Sequence, residues 1–142
     1  MVVDSSEIAQ KRESVVRAHV DAENRHDVSG VLSTFHQPKY EVMPLGAVLS
    51  GEQSVGDFLG GVFEGFPDFA AQVSPLIHSE SAVIAEGRFT GTHKRDWSGI
   101  PATGRSVDVP FCALFVFDGD RLVSERLYFD FATLLRPLGV LS

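Results

Sequence analysis

Several residue types that mark secreted, membrane or nucleic-acid-binding proteins are scarce in this sequence of 142 residues. Cys112 is the single cysteine, so no disulfide can form within the chain, and a reducing compartment fits. No apolar run approaches the roughly 20 residues of a membrane span, and the first residues lack the basic and apolar parts of a signal peptide. Basic residues form no run, and the net charge of −7 argues against a nucleic-acid-binding face.

These absences lead us to expect a cytoplasmic protein that binds neither nucleic acid nor a membrane. A chain of this length forms one domain, here residues 1–142, and can bury a sizeable core. Its 44% hydrophobic and 22% charged residues are ordinary values for a globular domain.

Apolar residues at helical spacing predict three helices in the first half of the chain. The first helix is predicted over residues 5–27. Asp27 is a favoured cap for a shorter second helix, which stops at Gln37 and Pro38. The third helix opens at Ser50 and carries its apolar face on Val55, Phe58, Leu59, Val62 and Phe63.

Strand signals dominate the second half. Residues 39–49 read as a strand interrupted at Pro44, and further strands are predicted over 69–77, 82–92, 107–117 and 121–130. The segment 111–117 is apolar on both side-chain parities, which is typical of a strand buried on both faces. Helices followed by hairpin-connected strands indicate an α+β fold, in which a curved antiparallel sheet packs on helices and cups a ligand cavity.

Asp130 is the first candidate for a functional residue. Its neighbours are Phe129 and Phe131, and Tyr128 lies two residues away, on the same predicted face. A carboxylate among aromatic rings is costly to ionise unless a partner compensates it. Two interpretations stay open: Asp130 is an acid/base or ligand-binding group, or it caps a short helix that starts at Phe131.

Two basic side chains are candidate partners of Asp130. Arg88 shares a strand face with Glu86, so it either enters the cavity or forms a cross-strand pair in solvent. His93 stands where a strand passes into a loop, where it either donates to a substrate oxygen or hydrogen-bonds the loop backbone. Three histidines on or beside the predicted helices, His19, His26 and His36, form no convincing metal-ligand pattern.

Large apolar and aromatic side chains are candidates for a substrate-binding wall. Trp97 belongs to a loop that either closes over the cavity or is only anchored on the surface. The remaining candidates for the wall are Tyr40, Met43, Phe58, Phe63 and Tyr128.

Three segments together resemble a known family. They are Glu86-Gly-Arg-Phe-Thr-Gly-Thr-His93, then Gly99-Ile-Pro-Ala-Thr-Gly-Arg105, then Phe115-Val-Phe-Asp-Gly119. With Tyr128-Phe-Asp130 and the ending Leu134-Leu-Arg-Pro-Leu-Gly139, the chain resembles the SnoaL-like polyketide cyclases of the nuclear-transport-factor-2-like superfamily. The resemblance implies a cone: three N-terminal helices packed on a strongly curved, mostly antiparallel mixed sheet with an internal cavity.

The resemblance also implies a reaction. In the characterised cyclases an aspartate on the last strand is the acid/base of an intramolecular aldol ring closure, without metal or cofactor. Here that role falls on Asp130, with His93, Arg88 or Tyr128 polarising a carbonyl group of a small hydrophobic substrate. Relatives with this cone commonly form homodimers through the outer face of the sheet, and the apolar 111–117 strand agrees with that arrangement.

Other functions of the same fold stay open. Limonene-epoxide hydrolases use two aspartates bridged by an arginine, of which Arg88 and Asp130 are candidate counterparts. Proton transfer of the ketosteroid-isomerase type needs a second acid, which the sequence does not identify. The third alternative is a non-catalytic dimeric module that binds a small apolar ligand.

Overall fold

The computed structural model describes residues 5–141 of the chain. Three helices precede most of the sheet and a fourth follows it: α1 (Ser5–Asn24), α2 (Val28–Ser33), α3 (Gly51–Gly65) and α4 (Phe131–Leu135). The strands are β1 (Lys39–Val42), β2 (Ala47–Ser50), β3 (Ala70–Val73), β4 (Ile77–His78), β5 (Ala82–Thr92), β6 (Ser106–Asp118) and β7 (Arg121–Phe129). None of the helices in this described part is long and apolar enough to span a membrane.

The strands form one mixed sheet in the order β2-β1-β7-β6-β5-β3, and β4 also pairs with β5. Every pairing is antiparallel except that of β1 with β7, which is parallel. The predicted α+β class is therefore confirmed, with three N-terminal helices on a mostly antiparallel mixed sheet.

Local sequence signals explain several boundaries. The side chain of Asp27 accepts a hydrogen bond from the backbone N–H of Gly30 at 3.0 Å and so caps α2, as predicted. Pro44 lies in a 3-10 turn that separates β1 from β2, which explains the predicted interruption. The predicted strand over 69–77 is instead divided into β3 and β4.

Strand β6 lies at the centre of the sheet, and its two faces differ. Phe111, Ala113, Phe115 and Phe117 are buried on the concave side, where the helices pack. Cys112, Leu114 and Val116 alternate with them and are only half-buried on the outer side. The apolar character of both parities therefore reflects a buried core face and a half-buried outer face.

A β-bulge controls which side chains of β7 face the core. Leu122 pairs with Phe117, but the register then shifts by one residue, so that Glu125 pairs with Phe115. Because side chains alternate along a strand, one extra residue transfers all later side chains to the opposite face. Glu125 thereby points into the core, and Tyr128 points away from it.

Candidate acid–base site

An apolar pocket lies between the helices and the concave face of the sheet. Its volume is about 90 Å³, which is smaller than the roughly 300 Å³ at which small-molecule sites usually begin. Six phenylalanines form most of the wall: Phe58, Phe63, Phe66, Phe69, Phe89 and Phe129. Trp97, from the loop after β5, and Leu134, from α4, also line it.

Two almost fully buried polar side chains interrupt this apolar wall, which also includes the half-buried Thr90 of β5. Glu23, from the last turn of α1, is the only acidic side chain on the wall within the described residues. Tyr40, from β1, also lines the pocket. Both are almost fully buried, with 6% of Glu23 and 2% of Tyr40 exposed. The pocket thus offers a small apolar molecule one carboxyl group and one phenol.

Glu23 belongs to a buried cluster with His19 and Glu125. The Nε2 atom of His19 lies 2.9 Å from Oε1 of Glu125 and 3.4 Å from Oε1 of Glu23. Although these separations are those of ion pairs, Nε2 makes no aligned hydrogen bond in this conformation. One imidazole nitrogen is therefore held between two carboxyl groups that have almost no access to water.

Helix and sheet geometry together assemble this cluster. His19 and Glu23 are four residues apart on α1, so they lie on the same helix face. Glu125 pairs with Tyr40 across the parallel β1–β7 contact and with Phe115 across the antiparallel β6–β7 contact. The ring of His19 packs edge-on against Phe115, with ring centroids 5.1 Å apart, and this contact holds the imidazole above Glu125.

Burial and neighbouring charges change the acidity of the cluster. Burial raises the pKa of Glu23 to about 8, and the charge of Glu125 contributes in the same direction, while His19 opposes it. Burial alone lowers the pKa of His19, but the charges of Glu125 and Glu23 outweigh it and raise the pKa overall. Folding therefore favours a proton on His19 and a proton on Glu23.

Tyr40 remains a neutral phenol in this environment. Its burial, the charges of Glu125 and Glu23, and hydrogen bonding with Glu125 all raise its pKa well above the ordinary value. A neutral phenol donates one hydrogen bond, which Glu125 accepts in this structure. If the hydroxyl turned from Glu125 toward the pocket, the same proton would stabilise developing negative charge on a substrate oxygen.

Four of the predicted site residues do line the pocket: Tyr40, Phe58, Phe63 and Trp97. Trp97 packs edge-on against Phe66, with ring centroids 5.7 Å apart. The loop that carries Trp97 thus forms part of the pocket wall, and a role of Trp97 in substrate binding stays a prediction.

Asp130 lies elsewhere, and its predicted place in an apolar pocket is wrong. It is exposed at the N-cap position of α4, where its carboxylate accepts a hydrogen bond from the hydroxyl of Thr133 at 2.6 Å. That hydrogen bond, with smaller contributions from backbone N–H groups and Arg136, lowers the pKa of Asp130. An exposed carboxylate of lowered pKa is a weaker base than the sequence-based hypothesis requires.

Arg88, Tyr128 and Met43 are also outside the pocket, contrary to prediction. Arg88 forms an exposed ion pair with Asp108, with Nε 2.7 Å from Oδ1. Tyr128 is 41% exposed on the outer face, because the bulge in β7 turns it away from the core. Met43 lies in the 3-10 turn after β1 and is 45% exposed.

His93 is buried but does not line the pocket. Its Nδ1 lies 3.1 Å from the hydroxyl oxygen of Thr103, and its ring stacks on Phe66, with centroids 5.2 Å apart. Its backbone N–H donates to the carbonyl of Arg105. These contacts fix the loop that carries Trp97, so the placement of His93 matches the loop-bonding interpretation.

One pattern in the sequence points to Glu23 and His19, although the sequence-based hypothesis about Asp130 does not use it. A His-x-x-x-Glu spacing on the apolar face of a predicted helix places two ionisable groups side by side in the core. Glu125 carried no such signal, because simple alternation from Leu122 puts it on the outer face. Within the described residues, no group of three or more His, Cys, Asp or Glu side chains is arranged to hold a metal ion.

Solved structures define the class of fold first. A protein from Jannaschia sp. CCS1, described as a SnoaL-like polyketide cyclase, superposes with a TM-score of 0.83 at 20% identity, covering 99% of this chain and 100% of that one. TsrD from Streptomyces laurentii gives 0.80 at 21% identity, with coverage of 99% and 100%. AclR from Streptomyces galilaeus, described as a hydroxylase, gives 0.80 at 22% identity, with coverage of 94% and 98%. At these identities the likeness establishes the fold alone.

The family follows from a match between the sequence and a protein-family model. Residues 13–138 match the model of the SnoaL-like polyketide cyclases, and the chain therefore belongs to that family, as the sequence motifs predicted. No match to a curated protein sequence was found.

Proposed function

We propose that this protein catalyses an acid–base reaction on a small apolar carbonyl compound, of the polyketide-cyclase type, with Glu23 as the acid/base. One observation carries the proposal: a carboxyl group of raised pKa is the acidic member of an otherwise apolar, aromatic pocket wall. This assignment replaces the sequence-based role of Asp130. Membership of the family supports a cyclase-type role.

The chemistry follows from the environment of Glu23. A general base works best when its pKa lies near the working pH, and a pKa of about 8 meets that condition. Ionised Glu23 removes a proton from the carbon next to the carbonyl group, and the resulting enolate attacks a second carbonyl to close a ring. Tyr40 hydrogen-bonds the carbonyl oxygen, and the chain's own residues supply these steps without a cofactor.

The size of the pocket limits the substrate. About 90 Å³ accommodates few heavy atoms, so a compact substrate is expected unless the loop of Trp97 and α4 move outward. The phenylalanines provide apolar contacts, and among the described residues Thr90 and Trp97 are the other lining side chains that carry a hydrogen-bonding group. We therefore expect a hydrophobic ring or short chain with one or two carbonyl groups.

The test measures proton abstraction directly. Cyclohexanone is incubated with the protein in D₂O, and the loss of its α-protons is followed by NMR. A linear diketone that can close to a six-membered ring serves as the cyclisation substrate. We expect Glu23→Gln to lower both rates by at least about 100-fold, because the amide cannot take up the proton. Equal rates in the wild type and Glu23→Gln would refute the proposal.

Epoxide hydrolysis is the second candidate. The specific observation in its favour is that two carboxyl groups flank one positively charged imidazole, which parallels two carboxylates bridged by a cation. Here protonated Glu23 donates to the epoxide oxygen while water attacks the ring carbon, and the proton that the water loses returns to Glu23. Cyclohexene oxide in isotopically labelled water distinguishes the candidates, since label appears in a diol only if this reaction occurs. If neither reaction occurs but cyclohexanone binds, the third alternative, a ligand-binding module, remains.

We further propose that the outer face of the sheet forms a homodimer. Half-buried Cys112, Leu114 and Val116 lie along its centre, and Tyr128 is exposed beside them. Burying this apolar strip against a second copy would remove it from water. Leu114→Arg is expected to give monomers in analytical ultracentrifugation, whereas Val140→Arg, in the exposed C-terminal tail, should leave the mass unchanged. A monomeric wild type would contradict this proposal.

A further inference from the structure

We propose that Glu23 and Tyr40 are joined behind the pocket wall by a closed proton path through His19 and Glu125, and that Thr34 holds His19 in the tautomer that this path requires. The inference rests on the proposed acid–base function. It assigns roles to three residues that do not touch the substrate, so they are positioning and relay residues.

The first step is the connection itself. Glu23 and Tyr40 both line the pocket, and neither contacts bulk water to any extent. Behind them, Nε2 of His19 lies within 3.4 Å of Glu23 and within 2.9 Å of Glu125. The carboxyl group of Glu125 in turn interacts with the hydroxyl of Tyr40. Because Nε2 makes no aligned hydrogen bond in this conformation, the path requires a small rotation of the imidazole toward each carboxyl group in turn, after which a proton passes between the two pocket-facing groups without leaving the protein.

The second step is the tautomer of His19. The hydroxyl of Thr34 donates to the backbone carbonyl of Val31 at 2.6 Å, so its single proton is already used. Its oxygen lies 2.9 Å from Nδ1 of His19 and is left to accept a hydrogen bond. Nδ1 must therefore carry a proton, and Nε2 is the nitrogen that gains and loses one between the two carboxyl groups.

The third step is the proton count. When Glu23 is ionised, one mobile proton remains in the cluster, on Nε2 of His19 between the two carboxyl groups. The substrate C–H bond breaks and its proton moves to Glu23, while the carbonyl oxygen takes the proton of Tyr40. Tyr40 regains a proton from Nε2 through the carboxylate of Glu125. The proton on Glu23 then passes to Nε2, so the initial state returns with no net gain or loss in the protein.

Alternative placements of the histidine proton would block this path. If Nδ1 lost its proton and Nε2 held one permanently, Nε2 could no longer accept from Glu23. In serine proteases, losing the contact that holds the catalytic imidazole in its working tautomer lowers kcat by about four orders of magnitude. Thr34 is the contact that decides this, since it binds Nδ1 on the side away from the carboxyl groups.

The experiment compares the wild type with Thr34→Val, which has similar shape but no acceptor, and with Thr34→Ser, which keeps the hydroxyl. Nitrogen NMR of labelled His19, recorded at a pH high enough for the imidazole to be neutral, reports the tautomer, and α-proton exchange of cyclohexanone in D₂O reports the reaction. We expect an Nδ1–H tautomer in the wild type and Thr34→Ser. In Thr34→Val we expect a shift towards Nε2–H and exchange at least about tenfold slower. Thermal unfolding checks that all three proteins are folded.

The outcomes separate the two proposals. If the wild type and Glu23→Gln behave as predicted but Thr34→Val keeps wild-type exchange, the proton path is wrong and the function of Glu23 stands. An Nε2–H tautomer in the wild type also overturns the path, whatever the exchange rate. If the wild type shows no exchange, the proposed function fails, and the path fails with it.

Discussion

His19 and Glu125 meet in the core of the protein, with Nε2 of the imidazole 2.9 Å from Oε1 of the carboxyl group and both side chains almost fully buried. Glu23 approaches the same nitrogen from the next turn of α1, and only Glu23 also reaches the pocket. This arrangement separates a pocket-facing acid from the groups that control its protonation. Measurements of stability, of its pH dependence and of activity each test this arrangement.

Replacing His19 should lower the free energy of unfolding by more than the loss of packing from a side chain of that size implies. In His19→Leu, two buried carboxyl groups lose their cationic partner, and we expect the unfolding free energy to fall by about 3–5 kcal/mol at neutral pH. Adding Glu125→Leu should restore part of that loss, because the double variant no longer buries Glu125 without a cation. Urea titration of the four proteins of this cycle provides the measurement. Strictly additive losses would show that the two side chains do not interact.

The stability of the wild type should decrease as the pH rises. The pKa of Glu23 rises from 4.5 to about 8 on folding, so between these values the folded state holds more protons than the unfolded state. The unfolding free energy therefore falls with rising pH across this window, and the raised pKa of His19 acts in the same direction. We expect a decrease on the order of a few kcal/mol between pH 5 and pH 9.

Glu23→Gln provides the control for that pH dependence. The glutamine does not titrate, so its curve should be flatter, and it should be more stable than the wild type at pH 9. Thermal unfolding at several pH values decides this. Parallel curves for the two proteins would mean that Glu23 has an ordinary pKa.

The activity should show the same ionisation. Only ionised Glu23 acts as a base, so kcat/KM for proton abstraction should rise with pH and level off above about pH 8. In an epoxide-opening reaction, protonated Glu23 is the active form, and the profile should fall over the same range. A rate that is independent of pH between 6 and 9 would exclude both roles for Glu23.

Asp130→Asn tests the sequence-based assignment against the structural one. Because Asp130 is exposed outside the pocket, where its carboxylate accepts a hydrogen bond from the hydroxyl of Thr133, the variant should retain wild-type exchange activity with a small loss of thermal stability. Glu23→Gln, an equally conservative change from acid to amide, should lose activity. If the two results were reversed, the catalytic group would be at the end of β7 after all.

Two glycine substitutions test the packing of the sheet. A Cβ atom on Gly87 in β5 would collide with the backbone carbonyl of Gln72 in β3, so Gly87→Ala should cost about 2 kcal/mol or more. Gly60 lies in α3 with open space around it, and Gly60→Ala should stabilise the protein by up to about 1 kcal/mol, through helix propensity. Urea titration compares the two. Similar effects would mean that β3 does not approach Gly87 so closely.

The sequence alone determined the α+β class, most of the helices and long strands, and the family. These follow from local rules: helical and strand periodicity, the cap at Asp27, the interruption at Pro44, and motifs that remain contiguous in the chain. It also identified part of the pocket wall, since Phe58 and Phe63 lie on the apolar face of one predicted helix.

Only the tertiary structure decided which polar groups meet. A one-residue bulge in β7 turns Glu125 inward and Tyr128 outward, and no alternation pattern reveals where such a bulge occurs. The parallel pairing of β1 with β7 then places Tyr40 beside Glu125, and the packing of α1 sets His19 above both. The acidity of Glu23 depends on burial and on charges from distant parts of the chain, so the site exists only in the folded protein.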